Sequence, residues 1–322
     1  MKKYLSNLRL YIESFVQYRQ ACGCWNESCY GKNLRRFDHY CLKNYPYEQN
    51  LTQEMVNSWC TQRETEKKSS CINRTDVIVA FIKYLRERDL TDVSKPELPR
   101  AEKRTYIPHA FTNHELTAFF YECDHLPFSP CRRFINRRMT IPVLFRLLYS
   151  SGIRPVEVRL LKREHVDLEQ GALDIRDSKG NDPHYVVLHD SMLQLMKRYN
   201  DAIEKMYPGR NYFFPTDQNG SYSYQWIRSN FLKLWNKVSA SRATVYGFRH
   251  HYAVANINSW GAEGFLFYSK LVYLGKSMGH VSMESTAYYY SLVPQVADIL
   301  LEKTRKGMDD IIPEVGNEET NE

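Results

Sequence analysis

Between Arg154 and Tyr289 the chain spreads a set of basic side chains ahead of a tyrosine-rich segment. They are Arg154 in SGIRPVEV, Lys179 in DSKGND, Arg249 in YGFRHHYA and His280 in MGHVS, with Tyr289 in STAYYYS. Two arginines, a lysine and a histidine around a phenol do not suit a carboxylate-based hydrolase or a metal site. They suit a phosphodiester attacked by a side-chain oxygen. That reaction needs a nucleophile, positive charge to stabilise a pentacoordinate transition state, and an acid to protonate the leaving oxygen. Arginine fits the second task, because its planar fork matches two phosphate oxygens and stays charged. No metal or other cofactor is called for. The trio Cys22, Cys24 and Cys29 has a C-x-C-x4-C spacing that matches no common zinc site.

Local elements must hold these groups. Gly152 is placed to end one helix and Pro155 to open the next, which puts Arg154 at a helix start with Glu157 three residues on. Lys179 falls at the tip of a hairpin read from GALDIRDS, KGND and PHYVVLHD, where Leu173 and Ile175 alternate with polar neighbours and Val186 and Val187 are β-branched. Beyond Arg249, Tyr252, Ala253, Val254 and Ile257 form the apolar face of a buried helix.

Upstream, four helices are expected in about 90 residues. Residues 4–21 present Leu5, Leu8, Leu10, Tyr11, Phe15 and Val16 as one stripe; residues 27–43 offer Leu34, Phe37 and Leu42. A third helix starts at a Thr52 cap, and a fourth over 70–88 turns Val77, Val79, Phe81, Ile82 and Leu85 inward. Residues 89–110 change character. Pro96, Pro99 and Pro108 discourage helix, and Lys95, Arg100, Lys103 and Arg104 make the stretch basic: a linker that either tracks a phosphate backbone or is a solvated tether. Helix resumes at FTNHELTAFFYEC, capped by Thr112 or Asn113, and again over 136–150 around Pro142.

Composition points to the same partner. The net charge is +7, yet residues 309–322 hold six acidic residues and no Lys or Arg, so the rest of the chain carries +13. A body that basic suits a polyanion, with counterion release supplying affinity. No apolar run approaches the roughly 18–20 residues of a membrane span. The start MKKYLSNLRLYIESF reads as an amphipathic helix and not a cleaved signal. A cytoplasmic, nucleoid-associated protein with reduced, partly buried cysteines in helices is the expectation.

In this order and context the residues resemble the tyrosine recombinase, or phage integrase, family, over nearly the whole chain. GIRPVEV resembles the first arginine motif, with Glu157 at its acidic position. TVYGFRHHYAVAN resembles H-x-L-R-H-T, with Arg249 and His250 in place but Tyr246 standing for the first histidine. LGKSMGHVSMESTAYYYSLV resembles L-G-H-x-S-x-x-T-x-x-Y, where the ninth residue after His280 is Tyr289, flanked by Tyr288 and Tyr290. The stretch from Arg249 to His280 is longer than usual for the family, with FLFYSKLVY as the excess.

The resemblance implies a mainly α fold with a small antiparallel β-sheet, built as a two-domain C-shaped clamp. A helical, SAM-like core-binding domain would span 1–100, an integrase-like catalytic domain 101–308 and an acidic disordered tail 309–322. With the chain starting on a core-binding helix, no extra arm-binding domain is expected. Tyr289 would be the nucleophile of a 3′-phosphotyrosine intermediate. Arg154, Arg249 and His280 would stabilise the transition state with Tyr246 assisting, Glu157 and His250 supporting, and Lys179 as general acid, without ATP or metal. The partner would be double-stranded DNA with paired inverted core sites, bound by a dimer per site and a tetramer in synapsis, to integrate or excise a mobile element. The terminal segment LVPQVADILLEKTRKG would dock on a neighbouring protomer or pack within its own.

Two other readings stay open: a type IB topoisomerase, which shares the chemistry, and a catalytically silent DNA-binding protein. Tyr246 keeps the second open, because a phenol donates to phosphate but accepts protons poorly near neutral pH. His251 or water would then take its place. The intact Tyr289 argues against silence.

Overall fold

The computed structural model describes residues 4–97, 108–176, 183–260, 266–280 and 282–290. The chain divides into two compact units, Met1–Thr105 and Tyr106–Glu322.

The first unit is helical: α1 (Arg9–Ala21), a π-helical turn (Glu27–Gly31), α2 (Lys32–Asn44), α3 (Gln53–Cys60) and α4 (Lys68–Arg86). The expected second helix is thus broken in two. Asn26 accepts from the amides of Ser28 and Cys29 at 3.1 and 3.3 Å and starts the π turn, from which α2 continues. Thr52 caps α3 as expected, accepting from the Met55 amide at 3.3 Å. The core joins Phe15, Phe37, Trp59, Ile78, Phe81 and Ile82, all buried.

Some expected inward residues face solvent: Leu5, Leu10 and Leu42 are exposed and Val79 is only half-buried, while Ile12, Cys41 and Ile78 take the core positions. Leu10, Leu42 and Val79 each lie one or two positions from the residue that replaces them, so at about 100° per residue the true stripe is rotated from the one read off the sequence, whereas Leu5 lies ahead of α1, which starts only at Arg9. Cys22, Cys24 and Cys131 are exposed, and the first two lie past the end of α1. Cys41, Cys60, Cys71 and Cys123 are the buried helical thiols. Polar anchors complete the unit. Asp38 on α2 accepts from the Leu5 and Ser6 amides and the Ser6 hydroxyl, at 2.8, 3.0 and 2.6 Å. Buried Arg74 pairs with Glu66 at 2.7 Å and donates to the carbonyls of Trp59 and Thr61.

The second unit carries α5 (Asn113–Asp124), α6 (Arg132–Ser151), α7 (Pro155–Leu160), strands β1 (Val166–Asp167), β2 (Ala172–Ile175) and β3 (His184–Val187), then α8 (Asp190–Met206), α9 (Tyr224–Val238), α10 (Gly247–Ser259), α11 (Leu266–Ser277) and α12 (Met283–Tyr290). The fold is mainly α with one small antiparallel sheet of order β1-β2-β3. The hairpin pairs Leu173 with Val186 and Ile175 with His184. It gains a third strand, β1, that the alternation did not announce, because two residues are too few to show a period. Thr112 caps α5 in a full capping box with Glu115.

Aromatic packing forms the core of this unit. Phe119, Phe145, Phe231, Trp235 and Phe248 bury together, with Phe231 and Trp235 stacked at 5.9 Å. Phe248 therefore roots α10 in the core one residue before Arg249. A smaller cluster of Ala253, Ile257, Leu271, Leu274, Met278 and Tyr289 joins α10, α11 and α12. The apparent excess FLFYSKLVY lies largely in α11, whose Leu271 is part of that cluster. No helix among the described residues is long and apolar enough to cross a membrane.

α6 ends at Gly152, which takes a left-handed φ of +65°. A Cβ there would meet the Tyr252 ring at 2.3 Å. Gly152→Ala should therefore combine left-handed strain with overpacking, costing about 2–4 kcal/mol. The expected result is a thermal midpoint lowered by several degrees; an unchanged midpoint would show that the α6–α7 turn can relax around the methyl.

Candidate DNA-cleavage site

Arg154 is placed by three features in a row: the left-handed Gly152, an extended Arg154 backbone and Pro155 at the first position of α7. Glu157, fully buried, accepts from the Arg154 amide at 2.7 Å and from its Nη1 at 2.6 Å. Arg154 Nη2 donates to the Gly279 carbonyl at 3.0 Å. The first motif thus reaches the turn between α11 and α12, 125 residues away in sequence.

Arg249 reaches the same turn. It is 1% exposed, and its Nη1 donates to the Gly152 carbonyl at 2.8 Å while Nη2 donates to Met278 O at 2.7 Å and to His280 Nε2 at 2.8 Å. Its Nε–H is buried with no partner among the described residues. One guanidinium therefore links the end of α6, the start of α10 and the α11–α12 turn.

The same bonds settle the state of His280. An arginine only donates, so Nε2 accepts and carries no proton. Nδ1 then holds the proton of a neutral ring and donates to Thr286 Oγ1 at 2.7 Å. Burial, with Arg249 and Arg154 adding to it, holds this imidazole down at about 4. Neither nitrogen is left to donate to an incoming phosphate in this arrangement. To do so, His280 must release Arg249 and take up a proton or change tautomer.

Tyr289 is 3% exposed and lies parallel to the His280 ring, with centroids 5.8 Å apart at 10°. Its neighbour Tyr288 is 42% exposed. Burial raises the Tyr289 phenol above its ordinary range, and Arg249 pulls it the other way. Of these two, the one beside the arginine is the one that counting from His280 singles out.

Tyr246 sits at the start of α10, partly exposed, with its ring 5.3 Å from that of His250. His250 is also 5.3 Å from the Tyr289 ring. His251 is committed elsewhere: it stacks on Tyr149 at 5.4 Å and meets Phe111 edge-on. It belongs to the aromatic core and not to the group around Tyr289.

Lys179, Arg100, Lys103 and Arg104 lie outside the described residues, as do the terminal segment after 290 and the acidic tail. Lys95 is exposed. The hairpin nonetheless arrives at this site, since β3 packs against α11. Gly279 has φ +62°, and a Cβ on it would come within 2.6 Å of the His184 ring of β3. A glycine is required there on both counts.

One basic surface escaped the sequence reading. On α2, Lys32, Arg36, His39 and Lys43 are exposed at helical spacing and line a groove with Trp59 and Arg63. The spacing i, i+4, i+7, i+11 was visible in the sequence, but the helix was read for its apolar face.

The buried histidines make acid stability a readout of the site. His250 is held at about 4 by burial and Arg249, and His251 is lowered by burial. An unfolded histidine protonates near ~6.5, so between ~6.5 and 4 the unfolded chain binds more protons and stability falls as pH drops. The thermal midpoint should decline from pH 7 to 4.5, and less steeply in a His250→Asn/His280→Asn double variant. Equal slopes would mean that these rings are not held neutral by the fold.

Residues 111–295 match the family model described as the phage integrase family. Over 285 residues the chain is 25% identical to a putative integrase/recombinase, y4rE, of Sinorhizobium fredii, covering 86% of this chain and 89% of that one. It is 23% identical over 226 residues to the tyrosine recombinase XerC of Staphylococcus saprophyticus, covering 69% and 71%. In fold it is similar to the XerH site-specific recombinase in a post-cleavage complex with a palindromic difH substrate, with a TM-score of 0.64, 16% identity and coverage of 95% and 97%. It is also similar to a lambda integrase tetramer bound to a Holliday junction, with a TM-score of 0.59, 14% identity and coverage of 88% and 76%. With that family model spanning more than half of its length, the chain belongs to the phage integrase family and is a tyrosine-type site-specific recombinase.

Proposed function

We propose that the chain cleaves and rejoins duplex DNA through a 3′-phosphotyrosine at Tyr289, acting on paired inverted core sites to integrate or excise a mobile element. The observation that carries this reading is a buried tyrosine set beside a buried arginine whose guanidinium is oriented on two backbone carbonyls. A guanidinium held in place in this way puts fixed positive charge beside the phenol, where negative charge develops in the transition state.

The steps follow from the groups. The Tyr289 oxygen attacks phosphorus, the bond to the 5′-oxygen breaks, and Lys179 protonates the leaving group. Arg154 and Arg249 hold the nonbridging oxygens. The unpartnered Nε–H of Arg249 supports this role, since a phosphate oxygen would satisfy a buried donor that otherwise costs about 1–3 kcal/mol. The bond energy stays in the phosphotyrosine, so the 5′-hydroxyl of a partner strand can reverse the chemistry without ATP. A dimer on each site and a tetramer in synapsis would bring the partner strands together. The unit at 1–105 would act as the core-binding domain, with the basic face of α2 against phosphates beside Lys95, Arg100, Lys103 and Arg104 of the linker.

On nicked duplexes carrying the DNA that flanks its own gene, the protein should form a covalent adduct, and peptide mass should place it on Tyr289. Tyr289→Phe should abolish the adduct and keep DNA affinity; an adduct surviving in that variant would move the nucleophile to Tyr288 or Tyr290. Arg249→Ala should slow adduct formation by at least about 10²–10³-fold, and a near wild-type rate would remove it from the phosphate. Arg36→Gln/Lys43→Gln should lower the dependence of log affinity on log salt by about 0.9 for each phosphate that is no longer neutralised. An unchanged slope would take α2 off the DNA.

A further inference from the structure

The departure at Tyr246 leaves the reaction short of a proton acceptor. Tyr289 is buried and its phenol is held protonated, so the attack must deliver that proton to a group with a free lone pair. His280 is not available, because Nε2 already accepts from Arg249 and Nδ1 holds a proton directed at Thr286. His251 is packed against Tyr149 and Phe111. Tyr246, itself a phenol, is a poor acceptor near neutral pH.

We propose that His250 is the general base that takes the Tyr289 proton, in place of the histidine that Tyr246 replaces. His250 is four residues beyond Tyr246, so the two side chains share one face of the first turn of α10. That face meets α12: the His250 ring lies 5.3 Å from Tyr289, 6.1 Å from Tyr288 and 5.3 Å from Tyr246. A base moved one turn along the helix thus still packs against the nucleophile's ring. Its Nδ1 is buried with no hydrogen-bond partner among the described residues. Among the described residues, the charged and titratable groups around the ring include Arg249 and Tyr246 on α10 and Tyr288 and Tyr289 on α12.

The imidazole is neutral at neutral pH, held at about 4 by burial and then by the Arg249 charge. A bound phosphate diester brings a negative charge to Arg249 and offsets the second of these causes. The substrate itself therefore raises the basicity of His250 when it is needed. The proton balance closes in both directions. As the tyrosine oxygen bonds to phosphorus, its proton passes to Nδ1, and the electron pair of the broken P–O bond leaves with the 5′-oxygen, which takes a proton from Lys179. When a 5′-hydroxyl later attacks the phosphotyrosine, its proton returns to the neutral Lys179 amine and the imidazolium returns the other proton to the departing phenolate.

This assignment rests on the phosphotyrosine reading, and the test separates the two. Single-turnover adduct formation is followed on the same nicked flanking-DNA duplexes for wild type, His250→Asn and His250→Asn/Tyr246→His, with duplex affinity measured alongside. The expected result is a rate lowered about 10²-fold or more in His250→Asn at unchanged affinity, and largely recovered when Tyr246→His returns a base one turn earlier. A wild-type rate in His250→Asn would overturn the assignment while leaving Tyr289 as the nucleophile. So would a slow rate that Tyr246→His fails to restore, or a loss of affinity matching the loss of rate, which is what a purely structural histidine would give. No adduct from wild-type protein would sink the phosphotyrosine reading and the base with it.

Discussion

The buried guanidinium of Arg249 is the constraint on which the site depends. A charge with 1% exposure is costly unless its donors find acceptors, and here Nη1 and Nη2 are met by Gly152 O, Met278 O and His280 Nε2. Those acceptors come from two separate parts of the second unit, and the arginine itself comes from a third. The need to pair one charge therefore fixes the end of α6, the start of α10 and the α11–α12 turn relative to one another. Arg154 reinforces the arrangement from the far side of Gly152 by bonding Gly279 O, and buried Glu157 balances its charge.

That arrangement has a cost in reactivity. The groups suited to holding a phosphate are engaged with the protein's own carbonyls and with each other, and His280 is locked as an acceptor. A phosphate entering this site exchanges internal bonds for its own, so the bonds that hold the fold and those that would hold the substrate draw on the same donors. The Nε–H of Arg249 and the Nδ1 of His250, both without a partner among the described residues, are places where the internal network is incomplete. Incomplete satisfaction of buried polar atoms is costly, and a site that binds an anion and moves a proton is a place where that cost has a use.

The helices around the site are held by hydrophobic packing. Phe248 anchors α10 in the aromatic core, and Leu271, Leu274 and Met278 pack with Tyr289 in the smaller cluster. The nucleophile candidate is thus a packed residue as well as a reactive one. Burial keeps the phenol protonated while Arg249 moderates that effect.

Much of this was legible in the chain itself. Helix content, the hairpin, the Thr52 and Thr112 caps, the Gly152–Pro155 turn and the order of the motif residues follow from local spacing and local backbone chemistry. A cap or a turn involves residues a few positions apart, so sequence alone determines it. Rotation of a helix face is less certain: Leu10 and Leu42 point out because the choice among adjacent apolar residues depends on what packs opposite. Tertiary structure alone decided the rest. Which nitrogen of His280 holds a proton, which of Tyr288 and Tyr289 is buried, and why His250 and not His251 meets the nucleophile all depend on neighbours tens of residues away in the chain. His250 and His251 are adjacent in sequence, yet about 100° of helical rotation sends one to Tyr289 and the other into the aromatic core. Sequence supplied the chemical groups and their order; the packing of α6, α10, α11 and α12 assigned each its neighbour, because charge, burial and hydrogen bonding act through space and not along the chain.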